Sequence, residues 1–165
     1  MKITRQSIIY DICNLAYVIA DCDDSEKHSL HQLRDVCEEG NIDRVARVLG
    51  LAYADILAVL MPVITSPEFD INRDSSASPH DYIFCFREDE PFGRILTKEV
   101  ILKIKETARE YMVCMVLSDW LGITLPDKAE PWKIRSRDAL ESLKTTVKTA
   151  LNPSVAYFRR AIEIM

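Results

Sequence analysis

Two histidines three residues apart are the first candidates for chemistry, since imidazole is a common metal ligand. On a helix His28 and His31 would lie on neighbouring faces, with Cys22 and Cys37 nearby in sequence. Cys37 follows His31 by six residues, roughly 240° around a helix, and Cys22 precedes the predicted helix, so a tetrahedral site would not close. We therefore predict two solvated histidines and no bound metal.

Motifs of known catalytic sites are missing from the sequence. It contains no G-x-S-x-G elbow, no phosphate-binding glycine loop and no H-E-x-x-H pair, and only four glycines in all. Cys85, His80 and Asp81 could supply a nucleophile, a base and an orienting group, but such a set occurs by chance in most chains. The prediction is a protein that is not an enzyme, with no catalytic residue, no cofactor and no identified small-molecule substrate.

Residues 42–61 come closest to a functional motif. Ala46 and Gly50 lie four residues apart among apolar residues, which predicts two helices meeting at a glycine corner, as in helix-turn-helix proteins. The second helix, residues 51–61, offers mainly apolar side chains instead of the polar ones that read base edges. We expect that helix to be buried in the core. A DNA-associated regulator built on the corner is the alternative hypothesis for function.

The charge distribution favours contact with an acidic protein surface. The net charge of −5 argues against general nucleic-acid binding, which requires clustered Lys and Arg. Residues 128–165 nevertheless carry eight Lys or Arg against four Asp or Glu, whereas residues 1–127 carry 13 against 22. An acidic body with a basic tail predicts attraction between copies, or to another protein, with Arg159 and Arg160 as possible partner contacts.

The spacing of apolar residues predicts a mainly α fold with a single domain over residues 1–165: a helical bundle with one small β-hairpin and a long polar loop. The helix following Thr97 is expected to be central and the most buried. The other predicted elements are a helix from Thr4 to about Asp21, a second from about Ser25 to Glu39, a mobile loop over 65–81, a hairpin of 82–86 with 92–96, and basic helices within 128–165.

Five cysteines without a C-x-x-C pair suggest neither a disulfide framework nor a zinc ribbon. We expect five free thiols in a reducing cytoplasm. The apolar run after Arg5 is interrupted by Asp11 and Asn14, so neither a signal peptide nor a membrane span is predicted.

Beyond the spacing of apolar residues, the chain contains a characteristic order of helix-packing residues. These are Tyr111–Cys114, Leu117–Thr124, Trp132, Ala139, Leu140 and Leu143, together with the opening Ile3–Arg5. In this order the chain resembles small prophage-encoded proteins of the head-tail connector, or neck, type. The resemblance implies a non-enzymatic structural subunit that joins copies of itself, or a neighbouring ring protein, through helix faces.

Overall fold

A computed structural model describes residues 1–21, 35–38, 40–65, 81–88 and 95–152. Within these residues the chain forms four α-helices and one two-stranded antiparallel sheet, so the predicted mainly α fold is confirmed. The helices are α1 (Arg5–Asp21), α2 (Ile42–Leu60), α3 (Lys98–Thr124) and α4 (Pro126–Leu151), and the strands are β1 (Lys2–Ile3) and β2 (Tyr82–Ile83).

Helix α3 is the central element, as its apolar pattern predicted. Thr97 caps its N-terminus: the Thr97 side chain accepts a hydrogen bond from the backbone N–H of Val100 and so satisfies one free donor of the first turn. From Ile104 to Leu121 buried residues lie on several faces of the helix, and α1, α2 and α4 all pack against it. A helix with partners on several sides is apolar on several sides.

The most extensive packing joins α3 to α4 in an antiparallel hairpin. Pro126 is suited to the first turn of α4, where its missing N–H would have no helical partner. Ala129, Ala139, Leu143 and Val147 recur at helical spacing on the buried side of α4 and belong to the same core as α3. The core therefore lies around α3, where α1, α2 and α4 each pack against it.

The predicted hairpin partner of the strand around Tyr82 is wrong. β2 pairs with β1, Lys2 lying opposite Ile83, and the sheet continues as Phe84 exchanges hydrogen bonds with Met1. On the other edge of this strand, Phe86 forms a bridge with Ile64. Local turn signals suggested a neighbouring return strand, whereas the observed partners are distant in sequence. Of the expected return strand 92–96, only residues 95 and 96 lie within the described chain, and residue 95 is helical.

The predicted corner at residues 42–61 is also wrong, because α2 is a single continuous helix that runs through Gly50. Glycine costs a helix only about 1 kcal/mol relative to alanine, too little to break a segment held by packing. The expected burial of residues 51–61 holds for Ala52, Ile56 and Leu60, but not for the whole segment. The DNA-binding alternative thereby loses its structural basis.

Several predictions fall outside the described residues: the histidines His28 and His31, the loop at 66–80, most of the second helix, and the tail residues Arg159 and Arg160. Of the second helix, the described end Asp35–Cys37 is a 3-10 turn. In the part of the chain that the structure describes, no helix is long and apolar enough to cross a lipid bilayer.

Candidate interaction surface

Of the catalytic set considered from the sequence, Asp81 and Cys85 lie within the described residues. The Asp81 carboxylate lies at the start of α1, where Oδ1 accepts the backbone N–H of Arg5 at 3.2 Å and Oδ2 pairs with Lys2 Nζ at 2.6 Å. A carboxylate at a helix N-terminus is stabilised by the free amides and the helix dipole. Asp81 thus anchors α1, while Cys85 is exposed on the strand segment and His80 lies outside the described residues.

Ion pairs tie neighbouring helices together. These ion pairs are partly exposed, so each contributes modestly to stability. Together they favour one relative orientation of the helices. Three such pairs join the described helices: Arg44 Nε to Asp119 Oδ2 at 2.8 Å, Arg109 Nη2 to Asp11 Oδ2 at 2.6 Å, and Arg135 Nε to Glu110 Oε1 at 2.5 Å.

A phenol and a carboxylate form the closest polar contact between α3 and α2. The hydroxyl of Tyr111 donates to Oδ2 of Asp55 at 2.7 Å. Burial raises the pKa of Tyr111 well above its usual value, and the hydrogen bond and negative charge of Asp55 raise it further. The phenol therefore keeps its proton as a hydrogen-bond donor and holds Asp55 in place.

Cys114 is not an activated nucleophile. It is buried in α3, where Sγ donates to Oε1 of Glu110 at 3.4 Å. Burial first, and then the negative charge of Glu110, raise its pKa to about 12. A nucleophilic cysteine needs the opposite shift, toward the thiolate. The expectation of five free thiols is wrong at Cys13, which is disulfide-bonded, whereas Cys85 and Cys114 are free.

The outer face of α2 is apolar and exposed. The side chains of Leu51 and Met61 are 55% and 63% exposed, and Ala54 and Ala58 between them are exposed as well. A side-chain carbon added at Gly50 would meet nothing within 4 Å. These apolar residues follow one another at steps of three and four, so they form a continuous stripe, which we call the α2 face.

Two charged residues border the α2 face at its N-terminal half. Arg47 and Asp55 are both exposed and lie four residues before and four residues after Leu51. Within the described chain, Arg47 has no ion pair, in contrast to Arg44 on the same helix, which pairs with α3. Among the described residues, no ion pair therefore fixes the direction of the Arg47 guanidinium.

The basic character of α4 is partly neutralised within the chain. Lys133 and Lys144 each pair with a glutamate three residues earlier on the helix, at 3.6 Å and 2.7 Å. Arg135 pairs with α3 and also stacks over the ring of Trp132, with its guanidinium carbon 5.4 Å from the ring centroid. These contacts favour a solvated amphipathic helix over a concentrated positive surface in this part of the tail.

The sequence contains a signal for the α2 face, but the signal lies in the periodicity of apolar residues and not in a motif. Along α2 one apolar stripe is buried and belongs to the core. A second stripe, on the opposite face of the helix, contains Leu51, Ala54, Ala58 and Met61. Two apolar stripes on opposite faces predict a helix with two packing partners, whereas we interpreted the same residues as a single fully buried segment.

Comparison with known proteins finds no match: no family model, no curated protein and no solved structure resembles this chain significantly.

Proposed function

We propose that this protein is a non-enzymatic assembly subunit that acts by binding protein surfaces through its helix faces. The observation that carries the proposal is the α2 face. Its large apolar side chains Leu51 and Met61 stay more than half exposed in the folded chain. Contiguous apolar surface of this kind marks interaction sites in many proteins, because covering it releases roughly 25 cal/mol per Å² of apolar area.

The interior polar groups support the same interpretation. Among the described residues, Tyr111 and Cys114 are the two groups whose pKa values are raised furthest, and both hold their protons in contacts between or within helices. Groups that keep their protons in buried contacts stabilise packing and do not supply a base or a thiolate.

The likeness to head-tail connector proteins makes the proposal more specific. In such a role the chain would join copies of itself, or a neighbouring protein, and its acidic body and basic tail would favour head-to-tail contact. The proposed location is the cytoplasm. The disulfide at Cys13 conflicts with a cytoplasmic location, since disulfides are rare in reducing compartments.

Salt and charge reversal test the tail contact. In sedimentation velocity at rising protein concentration, we expect self-association at low salt that weakens at high salt, where screening acts over about 8 Å or less. Arg159→Glu combined with Arg160→Glu should weaken it too. Lys98→Glu with Lys103→Glu, an equal charge change at exposed positions of α3, is the matched control and should have little effect.

A wild-type chain that remains monomeric at high concentration and low salt would exclude self-assembly. Equal weakening by the tail variant and by its control would show a general effect of net charge and would overturn the tail contact.

A further inference from the structure

The α2 face has the spacing of a helix-helix seam. Leu51, Ala54, Ala58 and Met61 are three, four and three residues apart, the alternation that keeps a stripe directed at one partner helix. The two exposed alanines in the middle leave room for large side chains of that partner, between the long side chains at either end. The face is therefore shaped for a helix with bulky side chains in the middle of the contact.

The chain itself contains a segment with that pattern. Helix α4 ends at Leu151, shortly before Pro153. Residues 154–165, which we call the end segment, lie outside the described residues, and their sequence predicts a short amphipathic helix. Its apolar stripe also follows steps of three, four and three and consists of Val155, Phe158, Ile162 and Met165. Two bulky side chains therefore stand in the middle of this stripe, where the α2 face has its alanines.

One antiparallel register fills the whole seam. It places Phe158 on Ala58 and Ile162 on Ala54, so a large side chain meets a small one in both central layers. The outer layers pair the remaining members, Val155 with Met61 and Met165 with Leu51. Every layer of the α2 face is covered in this register.

The same register brings opposite charges together. Arg159 and Asp55 each lie at the border of their apolar stripe, and in the antiparallel arrangement they are on the same side of the seam, about 3 Å apart along its axis. Parallel packing would place them on opposite sides. Asp55 is exposed and is held by the Tyr111 hydroxyl through Oδ2, and its other oxygen can accept a further donor. Charge therefore favours the antiparallel direction.

The short connection from α4 favours the α2 face of a second copy. The contacts of Arg44 and Asp55 with α3 show that α2 runs antiparallel to α3, as α4 does, so α2 and α4 end on the same side of the core. The α2 face points away from that core. A helix on it would lie about two interaxial distances, each of about 8–10 Å, from α4. The four steps from Leu151 to Val155 span at most about 14 Å, so the end segment falls short of the α2 face of its own chain.

We propose that the end segment of one copy binds antiparallel along the α2 face of a second copy, with Arg159 paired to the partner subunit's Asp55. We call this contact the α2 interface. The inference rests on the proposed assembly function and names the surface that accepts the basic tail. Because the two sides of the contact differ, each copy can donate one end segment and accept another.

Two adjacent arginines provide a matched charge test. On the predicted helix Arg160 lies roughly opposite the apolar stripe, whereas Arg159 borders it. In sedimentation velocity at moderate salt, Arg159→Glu should weaken self-association at least about fivefold, and Arg160→Glu, an equal charge change, should weaken it much less. Arg159→Glu combined with Asp55→Lys should restore most of the wild-type affinity. Equal weakening by the two single variants would contradict the register.

Apolar positions test the seam independently of the ion pair. Phe158→Asp removes the side chain that fills the centre, and Ala54→Arg blocks the seam from an exposed position, so each should abolish association. Ala156→Asp, an equal charge change away from the stripe, should keep it. Asp55→Lys removes the acceptor of Tyr111, so circular dichroism must show the fold intact. Should it not, Phe158→Asp and Ala54→Arg decide.

The outcomes distinguish the inference from the function on which it rests. Loss of association with Arg159→Glu, Phe158→Asp and Ala54→Arg, but not with the control variants, supports the α2 interface. A wild-type oligomer that these three variants leave unchanged would overturn this interface while leaving assembly through another surface in place. Association that Ala54→Arg abolishes and Phe158→Asp preserves would assign the α2 face to a different occupant.

A monomeric wild type would overturn the contact between copies and self-assembly together. In that case the thermal midpoint identifies what covers the face. A midpoint lowered by Phe158→Asp but not by Ala156→Asp, at every protein concentration, would show that the end segment binds the α2 face of its own chain.

Discussion

At the scale of single residues, the interior of this protein uses titratable groups as fixed hydrogen-bond donors. Tyr111 donates to Asp55 between α3 and α2, and Cys114 donates to Glu110 one turn away on α3. In both cases burial is the largest cause of a raised pKa, and the neighbouring carboxylate adds to it. Each donor is thereby kept neutral.

Replacing Tyr111 with phenylalanine should lower the free energy of unfolding by about 1 kcal/mol, the usual net value of a hydrogen bond. Asp55 is exposed, so its released carboxylate regains water and the loss should not be much larger. Tyr10→Phe, at a hydroxyl-bearing ring that is 65% exposed, is the control and should change little. Urea denaturation measures both, and equal losses would contradict a specific role for the Tyr111 hydroxyl.

The same contact has a defined pH dependence. Because the pKa of Tyr111 is higher in the folded protein than its ordinary value of 10.0, its contribution is fully present below about pH 10 and is lost as the pH rises toward the folded value. The stability difference between wild type and Tyr111→Phe should therefore shrink above about pH 10. A difference that grows there would show that the phenol is not held neutral.

The two cysteines that are free among the described residues, Cys85 and Cys114, should differ in reactivity. With its pKa raised to about 12, buried Cys114 has very little thiolate at pH 8, whereas Cys85 is exposed. Iodoacetamide labelling followed by peptide mass spectrometry should modify Cys85 in the folded protein and Cys114 only after denaturation. Cys85→Ser should remove the early modification. Comparable rates at both positions in the folded protein would contradict the burial of Cys114.

At the scale of elements, the α3–α4 hairpin carries most of the packing and the sheet carries the long-range connectivity. The hairpin joins helices that follow one another directly, with one residue, Leu125, between them. The sheet instead brings Met1, Ile64 and Phe84 together from three distant parts of the sequence. The helices therefore depend on local periodicity, and the sheet depends on the fold already being in place.

A cavity in the hairpin should be costly. Leu121 is fully buried in the core, so Leu121→Ala should destabilise the protein by about 2–5 kcal/mol through lost burial and the space left behind. Leu102 on the same helix is 57% exposed, and Leu102→Ala should stay within about 0.5 kcal/mol. Guanidinium denaturation compares the two, and similar losses would contradict the assignment of the core.

This difference between elements explains which features could be predicted from the sequence. Helices α1 and α3 follow from their three- and four-residue spacing and from caps such as Thr97, all of which are local signals. The partner of β2 could not be predicted from local signals, because a predicted hairpin pairs only segments that are neighbours in the sequence. The corner expected at Gly50 failed since packing on α3 outweighs the small helix penalty of one glycine.

The α2 face could be predicted in part. Its residues were recognised as apolar and as helical, and their periodicity divides them into one stripe with Ala52, Ile56 and Leu60 and a second stripe on the opposite face. Periodicity does not show which of the two stripes the remaining helices will cover. That depends on where α3 and the sheet lie, for example on the contact of Tyr53 with Tyr82 at 5.1 Å between ring centroids. Those contacts required the structure.

At the scale of the whole molecule, the α2 interface links stability to assembly. A contact made only by folded chains stabilises the folded state by mass action, so the unfolding temperature of a dimer rises with protein concentration. Burial of the apolar side chains Leu51 and Met61 should supply most of this effect, and burial depends little on ionic strength. The pair of Arg159 with the partner subunit's Asp55 is electrostatic, and its contribution should fade as salt increases.

We therefore expect the thermal midpoint of the wild type to increase with protein concentration even at high salt, where this ion pair is screened and the apolar seam persists. Ala54→Arg, which places a long charged side chain in the seam, should make the midpoint independent of concentration, since its chains unfold as monomers. Differential scanning calorimetry over a wide concentration range measures the slope. Lys103→Glu, with a charge change on an exposed part of α3, should keep the wild-type slope.

An Ala54→Arg slope equal to that of the wild type would place the stabilising contact on another surface. A flat wild-type slope would mean that folding is complete in a single chain, with the α2 face uncovered and stability independent of any second copy.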